Sequence, residues 1–359
     1  MRIPLHVLAG IGIAASSLSA QASQRYSISG SDAAIYNLAG AVKVGPAAGT
    51  AVVVDVTRGG RDAAQLKVDT GAIGDRQTVR VIYPDDDLVY RAGQARGNWN
   101  TSLDVRDDGT FGDEERHGRR HGEAGGRRVR ISGGGSGTEA WADLVIGVPK
   151  GQRIAVYLAV GKVTATNVNG DLRVDVSAAD VTSQGSQGSL AVDAGSGDVR
   201  VSSAQGTLDL DTGSGNVAVS RSQGDDLRVD TGSGNVDLDG VRVRTLSIDT
   251  GSGDVTADSL YGDDLKFDTG SGDVRVGVVA SATPSSIDIQ TGSGTATVAL
   301  PPGFGGNVVL DTGSGEIDLG GIAVTVSRLE NDHIEGRIGT GTGRLHVETG
   351  SGDVRLKKS

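Results

Sequence analysis

Cysteine is absent from all 359 residues. That excludes a disulfide framework, a lipid-anchored cysteine and a cysteine nucleophile, and leaves packing and backbone hydrogen bonds to hold the fold. Aromatic residues make up 3% of the chain, with two Trp, six Tyr and three Phe, which does not suit an ordinary globular core. Basic residues are outnumbered 34 to 45 by acidic ones, for a formal charge of −11. An acidic chain is a poor partner for nucleic acid or an anionic membrane. No apolar run is long enough to span a bilayer.

The one apolar stretch near the start, Leu5 to Ala15, follows Met1-Arg2 and leads into Ala20-Gln21-Ala22. A basic start, a short apolar core and an A-x-A end read as a secretory signal over residues 1–22. A buried N-terminal helix is the alternative. Cleavage after Ala22 removes Arg2 and takes the formal charge from −11 to −12.

What is abundant is glycine, at 58 residues, and it is periodic. Aligned on the serine of G-S-G, the chain reads Ser196, Ser214, Ser233, Ser252, Ser271, Ser293, Ser314 and Ser351, with gaps of 18, 19, 19, 19, 22, 21 and 37. The last gap is close to two periods, so a degenerate unit is expected around Thr325 to Gly336. V-D-V-S-A-A-D-V (Val174 to Val181) and L-A-V-G-K-V (Leu158 to Val163) continue the step towards the N-terminus without the glycines. Repetition at this period marks a solenoid of about ten or eleven units.

Within a unit, Leu227 and Val229 alternate with Arg228 and Asp230, and Val236 and Leu238 with Asp237 and Asp239. Each unit therefore reads as two short strands joined by a Gly-Ser-Gly corner. From about Arg153 onward there is no 3.6-residue apolar stripe. A two-strand unit cannot bury its own apolar face, but stacked units can: Val229, Ile248 and Phe267 share one position, and Val236, Val255 and Val274 another. The expected fold is all-β: a single-stranded, right-handed parallel β-helix (β-solenoid) with coils of about 19 residues stacked at about 4.8 Å. Glycine is expected at the corners for positive φ and close backbone approach.

The recurring L-x-V-D-T-G-S-G-D-V-x-V units, clearest at Leu265 to Val276 with Phe267 in place of valine, resemble the bacterial β-strand-repeat family labelled "putative adhesins", whose function is unknown. I-Y-N-L-A-G-A-V-K-V (Ile35 to Val44) and L-A-V-G-K-V (Leu158 to Val163) are also similar to it. The resemblance covers roughly Tyr26 to Leu356. It implies export and a β-helical scaffold, and it carries over no catalytic residues.

Residues 23–96 also alternate, as in A-V-V-V-D-V (Ala51 to Val56) and T-V-R-V-I-Y-P (Thr78 to Pro84), and are expected to form a less regular N-terminal β cap with the first coils. At the other end, Lys357 and Lys358 would place charge on the final strand edge. Residues 97–137 break the pattern. With seven acids, seven basic residues and many glycines, they read as a polar, flexible insertion that could be removed at little cost. Residues 138–359 form the repetitive β-helix.

Four constellations invite a chemical interpretation. D-T-G-S is the tetrapeptide of aspartic protease loops and starts at Asp211, Asp230, Asp249, Asp268 and Asp311. A protease needs two carboxylates sharing one cleft, and five equivalent copies along a chain cannot supply that. The structural interpretation makes Asp211, Asp230, Asp249, Asp268 and Asp311 acceptors for the corner amides in Asx-type turns, with Gly213, Gly215, Gly232, Gly234, Gly251, Gly253, Gly270 and Gly272 shaping the corners. Stacked aspartates could alternatively gather calcium, although T-G-S-G-D lacks the paired glycine of calcium-binding nonapeptide rolls. His117 and His121, near Glu114, Glu115 and Glu123, have helical metal-site spacing but sit among arginines and glycines. G-G-G-S-G (Gly133 to Gly137) has no lysine and helix after it and reads as a linker.

The sequence thus predicts no catalytic residue, no cofactor and no metal ligand. It points to an exported, non-enzymatic scaffold of the periplasm, outer surface or extracellular space. A surface polysaccharide or an envelope protein is the kind of partner that repetitive polar faces suit, with no nucleic acid and no integral membrane segment in the mature chain. The alternatives are a polysaccharide-acting enzyme on a β-helix, which would want more aromatics for sugar stacking, and a calcium-binding repeat protein.

Overall fold

The computed structural model describes residues 23–92, 99–112 and 126–359. The signal-like segment and the His117/His121 cluster lie outside the described residues. What is described is all-β, with thirty strands and a single 3-10 turn at Ala63–Gln65.

The repeat folds as two stacked columns of short strands. The first column runs through β13 (Leu190–Ser196), β15 (Leu208–Thr212), β17 (Gln223–Thr231), β19 (Arg242–Thr250), β21 (Asp264–Thr269) and β23 (Ser286–Thr291). The second runs through β14 (Val199–Ser202), β16 (Val217–Ser220), β18 (Val236–Asp239), β20 (Val255–Leu260), β22 (Val274–Val278) and β24 (Ala296–Leu300). Neighbours in each column are parallel and in register by residue type: Leu208 pairs with Leu227, Leu227 with Leu246 and Leu246 with Leu265. Val236 pairs with Val255 and Val255 with Val274. Period-2 alternation puts these aliphatics inside, where all are buried, and leaves the intervening polar residues outside. Each apolar face is buried only because the next unit covers it, so the fold is a β-solenoid-like repeat.

β2 (Asp32–Pro46), β11 (Gln152–Thr166) and β12 (Gly170–Gln184) each span both columns in one strand. β2 lies parallel to β11, with Ile35 opposite Val156 and Gly40 opposite Gly161. On the other edge of β2, β10 (Trp141–Val148) and β5 (Arg76–Ile82) pair parallel to it. Antiparallel partners follow: β3 (Val52–Gly59) and β1 (Gln24–Ile28) beyond β10, and β4 (Lys67–Ile73) beyond β5. A buried polar knot fastens this end. Tyr83 Oη donates to Asn37 Oδ1 at 2.8 Å, and Asn37 Nδ2 donates to the Ala142 carbonyl at 2.7 Å. Burial pushes the Tyr83 phenol well above its usual range, so it stays a neutral donor.

The C-terminal end departs from sequence order. β29 (Gly343–Thr349) lies between β23 and β25 (Gly306–Thr312), with Leu345 opposite both Ile287 and Val308. β30 (Val354–Lys358) likewise lies between β24 and β26 (Ile317–Asp318). The last coil of the sequence is therefore the penultimate coil of the stack, and Lys357 and Lys358 are not on the final edge. The expected degenerate unit at Thr325 to Gly336 is instead an antiparallel hairpin of β27 (Thr325–Leu329) and β28 (His333–Ile338), with β28 pairing antiparallel to β25. Its glycine-poor sequence lacks the corner that would return the chain as another coil. Antiparallel strands thus close both columns at the N-terminal end and the first column at the C-terminal end, where they stop parallel addition of further coils, while the second column ends on the two-residue strand β26.

The reading of residues 97–137 as one polar loop needs correction. β7 (Asn100–Arg106) and β8 (Gly126–Ser132) pair antiparallel within a four-stranded sheet completed by β6 (Asp87–Val89) and β9 (Thr138–Glu139). Val105, Val129 and Ile131 are buried there. Phe111 sets its edge against Tyr36 (ring centroids 5.9 Å apart) and Tyr157 (6.4 Å), which themselves stack at 4.4 Å.

Candidate functional site

The repeated corner is the feature that recurs through the stack, and two side chains other than the expected ones build it. Thr250 Oγ1 accepts the Gly253 N–H at 3.1 Å and donates to the Gly234 carbonyl of the preceding coil at 3.2 Å. The same pair of bonds recurs at Thr212, Thr231, Thr269, Thr291, Thr312 and Thr349. These threonines are buried polar groups with both functions satisfied, donor and acceptor.

The second element is the Asp or Asn after the glycines. Asn235 Oδ1 accepts the Asp254 N–H at 3.0 Å, and Asp254 Oδ1 accepts the Asp273 N–H at 2.9 Å. Asp180, Asp198, Asn216, Asp273 and Asp353 do the same for their neighbouring coils. The side-chain ladder thus stitches coil to coil, and it accounts for Asp and Asn exchanging at this position. At Asp198 the Asn216 N–H, with Arg200 also contributing, holds the carboxyl below its ordinary range. A lowered pKa stabilises the fold above the usual carboxylate range, and that contribution is lost as pH falls through the folded value.

The glycines act through close approach. A Cβ on Gly253 would lie 1.8 Å from the Gly234 carbonyl oxygen, and one on Gly251 would lie 2.4 Å from that of Gly232. Neither glycine has a positive φ, contrary to the expectation from sequence. Gly213, Gly215, Gly232, Gly234, Gly270 and Gly272 meet the preceding coil's backbone in the same way.

The D-T-G-S aspartates do not fill the acceptor role. Gly251 N–H goes to the Thr231 carbonyl and Gly253 N–H to Thr250, leaving Asp249 on the outer face, exposed. Asp230 faces Arg228 at 3.3 Å, and Asp311 lies 2.5 Å from His333 Nδ1. Asp211 and Asp268 are half-buried on the same face. The register lines up Asp175, Asp193, Asp211, Asp230, Asp249, Asp268, Gln290, Glu348 and Asp311 in one outer column, nine positions of which eight are acidic. Adjacent charges one strand apart repel by about 1 kcal/mol in water. Arg173 and Arg228 in the neighbouring column offset part of this, with Arg173 at 3.7 Å from Asp175 and Arg228 at 3.3 Å from Asp230. A shallow cavity of about 200 Å³ opens on this face where Ala191 is small, lined by Arg173, Asp193, Asp209, Asp211 and Arg228.

Among the described residues no group of three His, Asp or Glu side chains converges to hold a metal ion. Neighbouring aspartates meet only along a line, so no shell of six to eight oxygens forms for calcium. The corner threonines and the post-glycine Asp/Asn ladder were missed by sequence reasoning, although Thr recurs in every T-G-S-G unit with the same regularity as the preceding acid.

These corners predict an inversion of roles. Thr250→Val should lower stability by about 1 kcal/mol by orphaning the Gly253 N–H and Gly234 carbonyl, whereas Asp249→Asn and Asp249→Ala should change it little. Urea midpoints of the three variants check this. A larger loss at Asp249 than at Thr250 would overturn it.

The stack and its corners define a β-strand-repeat solenoid protein. The model of the Toastrack DUF4097 family, whose function is unknown, matches residues 126–357, more than half of the chain, and the chain belongs to that family. No curated protein matches it. Among solved structures, the chain is similar to a "putative cell adhesion protein" from Clostridium sporogenes, at 11% identity and a TM-score of 0.19, covering 94% of this chain and 100% of that one. No helix among the described residues is long and apolar enough to cross a membrane.

Proposed function

We propose that the protein is an exported, non-enzymatic β-solenoid that serves as a binding or structural scaffold of the cell envelope. The observation that supports it is the outer column from Asp175 to Asp311, where the register places eight acids on nine successive strands, interrupted once by Gln290. Such a face offers many weak, equivalent contacts in place of one deep site, which suits a repetitive partner. A surface polysaccharide carrying cationic groups, or an envelope protein with a basic face, has the complementary chemistry. In this reading the coils wind right-handed, the default for parallel crossovers, with about 19 residues in each.

Co-sedimentation with insoluble cell-wall polysaccharide tests this, with release of soluble sugar measured in the same tubes. The chain should sediment at low salt, lose binding as salt rises and release no sugar. Combining Asp230→Asn, Asp249→Asn and Asp268→Asn should weaken sedimentation severalfold with the fold intact by circular dichroism. Sugar release, or sedimentation indifferent to those three carboxylates, would overturn the proposal.

A further inference from the structure

The inverted order of the last two coils has a consequence for assembly. Coil 343–358 fills a slot whose two walls are consecutive in sequence, β23/β24 and β25/β26. It is held on both sides by the same bonds that join every other pair of coils. Thr349 Oγ1 donates to the Gly294 carbonyl at 2.9 Å, and Thr312 Oγ1 donates to the Gly352 carbonyl at 2.8 Å. Gly350 N–H bonds the Thr291 carbonyl and Gly313 N–H the Thr349 carbonyl, each at 3.0 Å.

Nothing in the recognition chemistry distinguishes the occupant of the slot by its connection to the chain. The walls read only an arc of alternating aliphatics closed by E/D-T-G-S-G, such as L-H-V-E-T-G-S-G-D-V-R-L. The connection into the coil is Gly339-Thr340-Gly341-Thr342-Gly343, glycine at alternate positions, with Gly339 at φ +53°. A glycine-rich hinge costs little to straighten, and domain swapping through such a hinge is a low-cost route to a dimer.

We propose that residues 343–358 are an exchangeable coil that a second copy of this chain receives in the slot between β23/β24 and β25/β26, giving a strand-swapped dimer. All backbone and threonine bonds of the slot are preserved in the exchange, and only the hinge changes. This proposal is independent of what the outer face binds.

The absence of native cysteine makes a clean test possible in the full chain. Ser271, Ser293 and Ser351 are exposed corner tips, and register places Ser293 beside both of the others in adjacent coils. Adjacent strands bring Cα atoms within reach of a disulfide. The pair Ser293→Cys with Ser351→Cys reports on the exchanging coil, and Ser271→Cys with Ser293→Cys on a fixed one. Each variant is refolded from denaturant over a wide range of chain concentration, oxidised and run on a non-reducing denaturing gel. The 293/351 pair should give a covalent dimer whose fraction rises severalfold with concentration, as mass action requires, while the 271/293 pair stays monomeric. Light scattering of the unmodified chain, refolded in parallel, should show the same rise. Monomer alone at every concentration from the 293/351 pair, or equal dimer from both pairs, would overturn the proposal.

Discussion

Val255→Asp is expected to abolish cooperative folding of the repeat. Val255 is fully buried, and its column continues through Val236 and Val274 in the coils on either side. A carboxylate there has aliphatic neighbours only, so it must either stay charged without a partner or be protonated at a cost. Both cost several kcal/mol, against a net stability of about 5–15 kcal/mol for a typical domain. In a stack the damage is done twice, because the same side chain faces two coil interfaces. The far-UV circular dichroism of Val255→Asp should lose its β signal or melt far below the parent. Val255→Ile, which adds one methylene beside the small Ala257, should cost only about 1 kcal/mol. A Val255→Asp chain that melts within a few degrees of the parent would mean that this column is not the core.

The solenoid was legible because its information is periodic. Alternation of two and a repeat near nineteen specify which residues face in and which stack, and Leu227, Leu246 and Leu265 do lie in register. The corner was legible in position but not in role. Asp249 and Thr250 recur with equal regularity, and only burial separates them: Thr250 is inside the corner, and Asp249 is outside it. An odd-even count along the strand carries that answer, since Asp249 has the parity of outward Arg228 and Ser247 in their coils, and Thr250 has that of Leu246 and Ile248. The order of the last coils was not legible at all. Coils 306–319 and 343–358 present nearly the same inward columns and the same corner, so pattern alone permits either to stack on β23/β24. The choice depends on the β27/β28 hairpin, whose antiparallel pairing with β25 closes the far edge of that coil and leaves its near edge for β29.

The same limit hid β7 and β8, and it reverses the expectation for residues 97–137. Both strands are short, and β8 is arginine-rich: in G-R-R-V-R-I-S only Val129 and Ile131 are buried, too few for a periodic signal to stand out among the charges. Yet Val105, Phe111, Val129 and Ile131 are all buried, and Phe111 shields the stacked Tyr36 and Tyr157 on the outer face of the first coils. Each such side chain contributes about 1.5–3 kcal/mol on burial, partly offset by the cost of ordering the strands that carry it. Replacing Asn98 to Gly135 with a short Gly-Ser linker also removes β8, which pairs with β6, and uncovers Leu88 and Val89, both buried in the parent. We therefore expect a net loss of several kcal/mol and a fall in thermal midpoint of about 10 °C or more, at about 2–4 °C per kcal/mol for a domain of this size. Phe111→Ala alone should lose about 3–5 kcal/mol, because the ring is buried. Trypsin should spare Arg127 in the folded protein, since its guanidinium bonds Asp86 at 2.7 Å and its backbone is paired with Val105 in β7. A linker variant melting within a few degrees of the parent, together with early cleavage at Arg127, would show instead that the small sheet contributes nothing to the stability of the stack.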